Sequence, residues 1–118
     1  MSREIVDNNG IGIQLINTDA GLANLCEKLK TKTAIGFDTE FDRFYREYGF
    51  KLFLLQIFDG DMCYLVDPLA FKDLTSLWAF FEDPSICKVV YSSSEDIQLL
   101  KINGCNIKNI YDLQTFFV

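Results

Sequence analysis

Hydrophobic residues along this chain follow two spacings, one with a period of two and one close to 3.6 residues. Alternating or β-branched runs predict strands, and apolar residues three or four apart predict helices. The predicted strands are 11–16, 33–37, 52–58, 62–66, 86–91 and 109–112. The predicted helices run from a cap at 17–19 to about Leu29, over 69–81, and from a cap at 92–94 to about Ile102.

Turn and stop signals separate these elements. Asp59-Gly60-Asp61 predicts a hairpin turn, Asp67-Pro68 ends the returning strand, and Gly104 ends the third helix. Residues 41–48 are aromatic and charged and predict a loop, while residues 113–118 begin an element that the sequence does not complete. A hairpin beside strand 33–37, followed by alternating helices and strands, predicts one α/β domain with a mixed sheet.

Composition limits the chemistry that this chain can perform. Its 118 residues are 49% hydrophobic, which suits one compact domain with a substantial core. The net charge of −6 implies no broad basic face, so nucleic-acid binding would be local and assisted by metal ions. The chain has no histidine, which excludes a Ser-His-Asp triad, a Cys-His dyad and any His-ligated metal within it.

The cysteines and the N-terminus bear on where the protein works. Cys26, Cys63, Cys87 and Cys105 match no zinc-binding spacing, which predicts reduced and mostly buried thiols. The first ten residues are polar and lack the apolar region of a signal peptide, and no apolar run reaches transmembrane length. These features predict a cytoplasmic protein with no membrane partner.

Asp38-Thr39-Glu40 is the main chemical signal in the sequence. It follows the apolar run 33–37, and residues two apart on a strand point to the same face, so the two carboxylates would lie side by side. Paired acids at the end of a buried strand repel each other, and a divalent cation relieves that cost. Hard oxygen ligands suit magnesium or manganese. Such pairs are also common on solvated strand ends, which remains an alternative.

A third carboxylate, Asp96, follows another predicted strand. Strand 86–91 runs into a helix, and Asp96 falls in the first turn of that helix. Active sites of α/β sheets gather at the carboxyl ends of parallel strands, so three carboxylates would converge if the two strands are neighbours. Favourable interaction with the helix dipole is the alternative reason for an acid at this position.

Five segments in order resemble the ribonuclease D family, one branch of the DEDD 3′→5′ exonucleases. Phe37-Asp-Thr-Glu-Phe41 resembles the first exonuclease motif and Lys88-Val-Val-Tyr-Ser-Ser-Ser-Glu-Asp96 the second. The other segments are Leu54-Leu-Gln-Ile57, Tyr64-Leu-Val-Asp-Pro-Leu69 and Ile110-Tyr-Asp-Leu-Gln114. The resemblance runs from about Ile11 to the last residue. It implies a ribonuclease H-like mixed sheet flanked by helices, with residues 1–118 forming a single, C-terminally incomplete exonuclease domain.

The resemblance also implies a site, a cofactor and a substrate. Asp38 would bridge two Mg²⁺ or Mn²⁺ ions, Glu40 would bind one and help to position water, and Asp96 would serve the other. The implied reaction is two-metal phosphodiester hydrolysis of single-stranded nucleic acid, with RNA favoured over DNA. Thr39 and Phe41 are the candidates for contact with that nucleic acid. Phe41 would stack on a terminal base, although a core position is the alternative for this residue.

Three departures from the family pattern qualify the expected activity. Tyr91 stands where relatives often have histidine, and Leu113 where they have threonine. Few cations lie near the expected site, and Arg43, Arg46 and Lys51 are better explained as solvated surface than as phosphate contacts. No Tyr-x-x-x-Asp of the third exonuclease motif follows Asp112, so this chain is expected to hydrolyse weakly or not at all.

Two further expectations follow from the end of the sequence. A non-catalytic descendant that binds nucleic acid or protein is the alternative to an exonuclease domain, because both would keep Asp38, Glu40 and Asp96. The apolar residues Leu113, Phe116, Phe117 and Val118 have no predicted partner, which favours a homo-oligomer that forms through this segment.

Overall fold

A computed structural model describes residues 3–6, 12–42, 51–91 and 94–116. The strands are β1 (Arg3–Val6), β2 (Gly12–Ile16), β3 (Ala34–Asp42), β4 (Lys51–Phe58), β5 (Met62–Val66), β6 (Cys87–Val90) and β7 (Ile110–Asp112). The helices are α1 (Asp19–Leu29), α2 (Thr75–Glu82), α3 (Ser94–Ile102) and α4 (Leu113–Phe116), and a 3₁₀ turn covers Pro68–Ala70. This order confirms the α/β class and the alternation of helices and strands predicted from hydrophobic spacing.

Within these ranges the strands form one mixed sheet with the order β1-β2-β5-β4-β3-β6-β7. β3 pairs with β4 in antiparallel fashion and with β6 in parallel fashion. β6 also runs parallel to β7, and β2 runs parallel to β5. β3 therefore occupies the position between the antiparallel hairpin and the parallel strands, and this places the Asp38-Thr39-Glu40 segment near the middle of the sheet.

Among the described residues, helices α1, α2 and α3 cover one face of the sheet, and the opposite face, named the open face, lacks such a helical layer. The covered face carries the inward residues of each strand, and these meet the apolar sides of α1, α2 and α3 in a single core. Phe37 of β3, for example, packs edge to face against Phe81 of α2 with ring centroids 5.3 Å apart. The open face carries the alternate residues, which are half-buried or exposed; they include Leu15, Leu54, Phe58, Leu65 and Val89.

The hairpin between β4 and β5 is confirmed, and its turn is held by one side chain. Asp59 Oδ1 accepts hydrogen bonds from the amides of Asp61 and Met62, each at 2.9 Å. The Tyr64 hydroxyl donates to Asp59 Oδ2 at 3.0 Å. Gly60 adopts φ 104°, a left-handed conformation that a residue without a Cβ reaches without strain. The turn therefore fixes the pairing of β4 with β5.

Lys88 of β6 is fully buried and ties two loops together. Its Nζ donates to the carbonyl oxygens of Asp83, at 2.5 Å, and Lys108, at 2.8 Å. Burial lowers the pKa of this amine, while the nearby Asp83 carboxylate opposes that change. The residue that follows α2 and the segment that precedes β7 are thereby both tied to β6.

Three predictions about the elements were wrong in detail. Strand β1 was missed, because residues 3–6 lie in a polar stretch and are defined by pairing with β2. The helix predicted over 69–81 is instead a 3₁₀ turn followed by α2. Phe71 is extended (φ −124°, ψ 138°), and Asp73 accepts from the amide of Thr75 at 2.9 Å, so a new helix starts there.

The third difference concerns the strand that bears the acids. β3 does not end at Asp38 but continues to Asp42, because its antiparallel ladder with β4 extends over Asp38–Gln56 and Glu40–Leu54. The register shifts between Glu40 and Phe41, as in a β-bulge. Residues 41 and 42, predicted as loop, are thus strand, and residues 43–48 lie outside the described residues.

Candidate functional site

The central strand divides its polar residues between the two faces of the sheet. Asp38 and Glu40 lie on the open face, and both are exposed. Thr39 lies on the covered face beside Leu55 of β4 and is only 6% exposed. The expectation that both carboxylates share one face is confirmed, since side chains alternate along the paired strand.

Asp96 reaches this segment from the first turn of α3. The parallel ladder of β3 with β6 ends at Gly36–Val89, so the later part of β3 extends past β6 toward the beginning of the helix. Asp96 is 6% exposed, whereas the neighbouring Glu95 is exposed. The Thr39 hydroxyl donates a hydrogen bond to Asp96 Oδ1. The sequence placed Asp96 correctly, but the residue that it meets is the threonine between the two acids.

The electrostatics show that Asp38 and Asp96 are near one another. Burial raises the pKa of the Asp96 carboxyl, and the negative charges of Asp38 and Glu95 raise it further. Hydrogen bonds from the Thr39 side chain and backbone act in the opposite direction, because they favour the ionised form. A buried carboxylate facing a second carboxylate is a costly arrangement that a cation would relieve.

The convergence of all three carboxylates stays a prediction. Within the described residues, no three Cys, Asp or Glu side chains are grouped closely enough to hold a metal ion. Asp38 and Asp96 interact electrostatically, whereas Glu40 is fixed only by its position on the open face next to Leu54. The donor chemistry nevertheless fits magnesium or manganese, because every candidate ligand is a carboxylate oxygen.

A cleft of about 310 Å³ opens on the sheet beside Asp38. Gly36 and Val89 form its floor, and Gln56, Phe58, Tyr91 and Leu113 are among the side chains around it. Tyr91 is 65% exposed and Phe58 41% exposed. Both positions named as departures from the family pattern, Tyr91 and Leu113, therefore line the space next to the first acid.

The structure describes some of the other predicted site residues but not all of them. Thr39 is buried and engages Asp96, so its contact with nucleic acid stays a prediction. Phe41 lies in β3, but its side chain is outside the described residues, as is the side chain of Lys51. Arg43 and Arg46 also lie outside them. Outside the predicted set, Gln56 pairs with Asp38 across the β3–β4 ladder and lines the cleft.

A hydrogen bond between Thr39 and Asp96 was not predicted from the sequence. The available signal was the alternation of the strand: if Asp38 and Glu40 share the open face, the residue between them must face the helices. A threonine on a covered face needs a hydrogen-bond partner. What the sequence could not supply was the position of α3 relative to the end of β3.

The mixed α/β sheet carries acidic residues on its central strand, and comparison with known proteins identifies its class as that of nucleases. A family described as 3′–5′ exonuclease matches residues 13–116, which is most of the chain. The chain therefore belongs to the 3′–5′ exonuclease family.

Curated ribonuclease D proteins are among its relatives. The chain is 45% identical to ribonuclease D of Escherichia coli strain K12 over 86 residues, which is 73% of this chain and 23% of that protein. It is 37% identical to ribonuclease D of Shewanella sp. strain ANA-3 over 91 residues, 77% of this chain and 23% of that protein. The chain thus spans about a quarter of the length of these relatives.

Solved structures give the same picture. The crystal structure of Escherichia coli RNase D superposes with a TM-score of 0.79 and 42% identity, covering 86% of this chain and 27% of that one. The catalytic core of RRP6 from Trypanosoma brucei gives a TM-score of 0.81 and 27% identity, covering 95% and 32%. These matches confirm the ribonuclease H-like exonuclease fold expected from the sequence motifs.

Proposed function

We propose that this chain supplies Asp38, Glu40 and Asp96 to a ribonuclease D-type centre that removes nucleotides from the 3′ end of RNA. The observation that carries this proposal is that Asp38 in the middle of β3 lies within electrostatic reach of the buried Asp96 in the first turn of α3. A buried carboxylate that lies beside a second negative charge is stabilised when a cation lies between the two.

Mg²⁺ or Mn²⁺ fits this set of ligands. Asp38 and Glu40 place their carboxylates on the open face, where solvent and substrate have access. The carboxylate of Asp96 is held by a hydrogen bond from Thr39, which lies on the covered face. Divalent ions held there would stabilise the attacking and leaving oxygens and lower the pKa of water. Asp38 would hold the ions together, Asp96 would anchor one of them, and Glu40 would orient the attacking water by accepting its hydrogen bond.

RNA is the proposed substrate because of the descriptions of two solved structures that this chain resembles. The Escherichia coli RNase D structure is described as that of an exoribonuclease involved in structured RNA processing. An RNase D of Trypanosoma brucei, 20% identical and alike in fold, was solved in complex with RNA U12. With a net charge of −6, this chain would meet phosphates chiefly through bound cations, and the cleft beside Asp38 would receive the terminal nucleotide.

A binding and cleavage experiment tests this proposal. End-labelled single-stranded RNA and DNA of one sequence would be titrated with the chain in Mn²⁺ and in EDTA. We expect RNA binding that depends on Mn²⁺ and is lost in Asp38→Ala, with weak or undetectable shortening from the 3′ end. Asp61→Ala, which removes an exposed carboxylate of the β4–β5 turn, is the matched control and should bind as wild type does.

The opposite pattern would favour the second candidate function. RNA binding that is equal in EDTA and Mn²⁺, and equal in wild type and Asp38→Ala, would identify a binding domain that no longer uses its carboxylates. Robust 3′ shortening that is abolished by Asp38→Ala would establish the site but overturn the expected weakness of this chain.

Assembly and cellular location belong to the same proposal. The exposed Phe58 and Tyr91 on the open face, next to half-buried Leu113, support association of copies near the C-terminal segment. The side chain of Phe116 and residues 117–118 lie outside the described residues. Light scattering should show that the mass of the particles rises with protein concentration, and a constant monomer mass would contradict self-association.

The four unpaired cysteines support a reducing compartment such as the cytoplasm.

No helix within the described ranges is both long enough and apolar enough to span a bilayer.

A further inference from the structure

Thr39 occupies a position that differs from those of both neighbouring acids. The bulged strand β3 presents Asp38 and Glu40 to the open face, and only Thr39 of this triplet points toward the helices. On that side it continues a row of fully buried residues, Ile16, Val66 and Leu55, which are each 0% exposed. Branching at Cβ restricts the χ1 angle of this side chain.

The partner of Thr39 is a carboxylate on a different element. The hydroxyl donates to Asp96 Oδ1, and the backbone of Thr39 also hydrogen-bonds this side chain. The two residues are 57 positions apart in sequence. Asp96 is thus held twice by the residue that separates the other two proposed ligands.

Helix capping does not explain the burial of Asp96. An acid in the first turn gains from the helix dipole while it stays in water, as the exposed Glu95 does in the same turn. Asp96 is instead turned toward the sheet and 6% exposed, next to the repelling charge of Asp38. Without its hydrogen bonds to Thr39, this carboxylate would lower its energy by rotating toward solvent.

We propose that Thr39 is a positioning residue that fixes the orientation of the Asp96 carboxylate for a divalent cation shared with Asp38. This inference rests on the proposed function, because it takes Asp96 as a ligand. Partners that hydrogen-bond a metal-binding carboxylate set its orientation, and removing one typically costs about 10–100-fold in metal affinity. The strand thereby contributes to the site from both faces: two carboxylates from one side and the hydroxyl that orients the third from the other.

Mn²⁺ titration calorimetry of the 118-residue chain tests this role. Thr39→Val keeps the branched shape but removes the donor, and we expect Mn²⁺ affinity to fall by about 10–100-fold. Thr39→Ser restores a hydroxyl and should bind within about 3-fold of wild type, because it keeps the hydrogen bond that this kind of partner supplies. If Thr39 had a purely structural role, Mn²⁺ affinity would not be lost in Thr39→Val and kept in Thr39→Ser.

Further variants separate failure of this inference from failure of the proposed function. Asp38→Asn should lose Mn²⁺ binding; wild type and Asp38→Asn with the same weak affinity would overturn the proposed function and the inference with it. Tight wild-type binding that Thr39→Val leaves unchanged would overturn the inference alone. If Thr39→Val does not fold, Thr39→Ser decides, since a folded serine variant with affinity reduced more than about 10-fold contradicts the role.

A metal-free measurement checks that Thr39 acts through Asp96. Unfolding of wild type, Thr39→Val, Asp96→Ala and the double variant forms a double-mutant cycle. We expect the two substitutions to be coupled, so that Thr39→Val shifts the unfolding midpoint less in the Asp96→Ala background than in wild type. Fully additive shifts would show that the two side chains act independently and would overturn the inference.

Discussion

At the scale of single residues, the informative positions are the buried polar side chains. Gln14, Thr39, Lys88 and Asp96 are all less than 9% exposed, yet no buried side-chain nitrogen or oxygen in the described residues lacks a hydrogen-bond partner. Lys88 satisfies backbone carbonyls and therefore serves the fold. Asp96 is buried near another carboxylate and hydrogen-bonded by Thr39, so its ionised form is maintained at a cost in stability.

Asp96→Asn should make the metal-free protein more stable at pH 7. Burial raises the pKa of the folded-state carboxyl above its ordinary value of 3.8, so the folded protein holds the proton more tightly than the unfolded chain does. Wild-type stability therefore falls as pH rises from 3.8 through the folded-state pKa, and the cost persists at neutral pH. Asparagine keeps an oxygen for Thr39 but carries no charge.

Chemical denaturation of wild type and Asp96→Asn from pH 3.5 to 7.5 would measure this. The variant's advantage should be greatest at neutral pH and should disappear as pH approaches 3.8. The control is Asp61→Asn, since the Asp61 side chain is 86% exposed and should show no such trend. An Asp96→Asn protein less stable than wild type at pH 7 would show that the ionised carboxylate is stabilised by contacts that outweigh its burial.

At the scale of elements, local sequence patterns predicted most of the structure. Helix α1 and strand β5 have the expected bounds, because hydrophobic spacing, the Thr18 cap and the Asp59-Gly60-Asp61 turn are all local signals. The misses depend on contacts between distant segments. β1 exists through pairing with β2, and β3 is prolonged by its ladder with β4.

In the candidate site, too, local sequence patterns predicted the positions of residues but not the contacts between distant segments. Spacing alone placed Asp38 and Glu40 on one face and put Asp96 in the first turn of a helix. The hydrogen bond between Thr39 and Asp96 could not be predicted, because it depends on how far β3 extends past β6 before α3 begins. Alternation along a strand determines the face of the sheet on which a side chain lies, but tertiary packing determines which other side chain it contacts there.

The β4–β5 hairpin gives a test at this scale. Asp59→Ala should lower the unfolding free energy by about 1–2 kcal/mol, because two turn amides and the Tyr64 hydroxyl lose their acceptor. Burial raises the pKa of Asp59, but these hydrogen bonds outweigh it and hold the pKa below its ordinary value. The ionised Asp59 carboxylate therefore stabilises the folded protein above pH 3.8, and this stabilisation is lost as pH falls through the lower, folded-state pKa.

Thermal and urea unfolding of Asp59→Ala and Asp61→Ala between pH 2 and pH 7 would check this prediction. Asp61 lies in the same turn, and its carboxylate forms an exposed ion pair with Lys32, at 3.6 Å. Its substitution should cost less than about 0.5 kcal/mol. Equal losses for the two variants would mean that Asp59 contributes general charge rather than specific hydrogen bonds.

At the scale of the whole molecule, the two faces of the sheet differ. One face forms part of the hydrophobic core, and the other carries proposed metal ligands. The helices cover one face and build a continuous core with it, while the opposite face presents Asp38, Glu40 and the cleft of about 310 Å³. Asp96 and Thr39 connect the two sides at the end of β3. The matching family and the solved exonucleases share this framework, and the chain spans about a quarter of the curated relatives it matches.

Paramagnetic broadening by Mn²⁺ tests the central claim most directly, because it locates the ion by residue. In ¹⁵N-labelled protein, substoichiometric Mn²⁺ should first broaden the amides of Asp38, Thr39, Glu40 and Asp96, and Asp38→Asn should abolish this selectivity. Equal broadening of exposed acids across the surface, or first broadening at Asp59 and Asp61 in the turn, would contradict a metal centre built from β3 and α3.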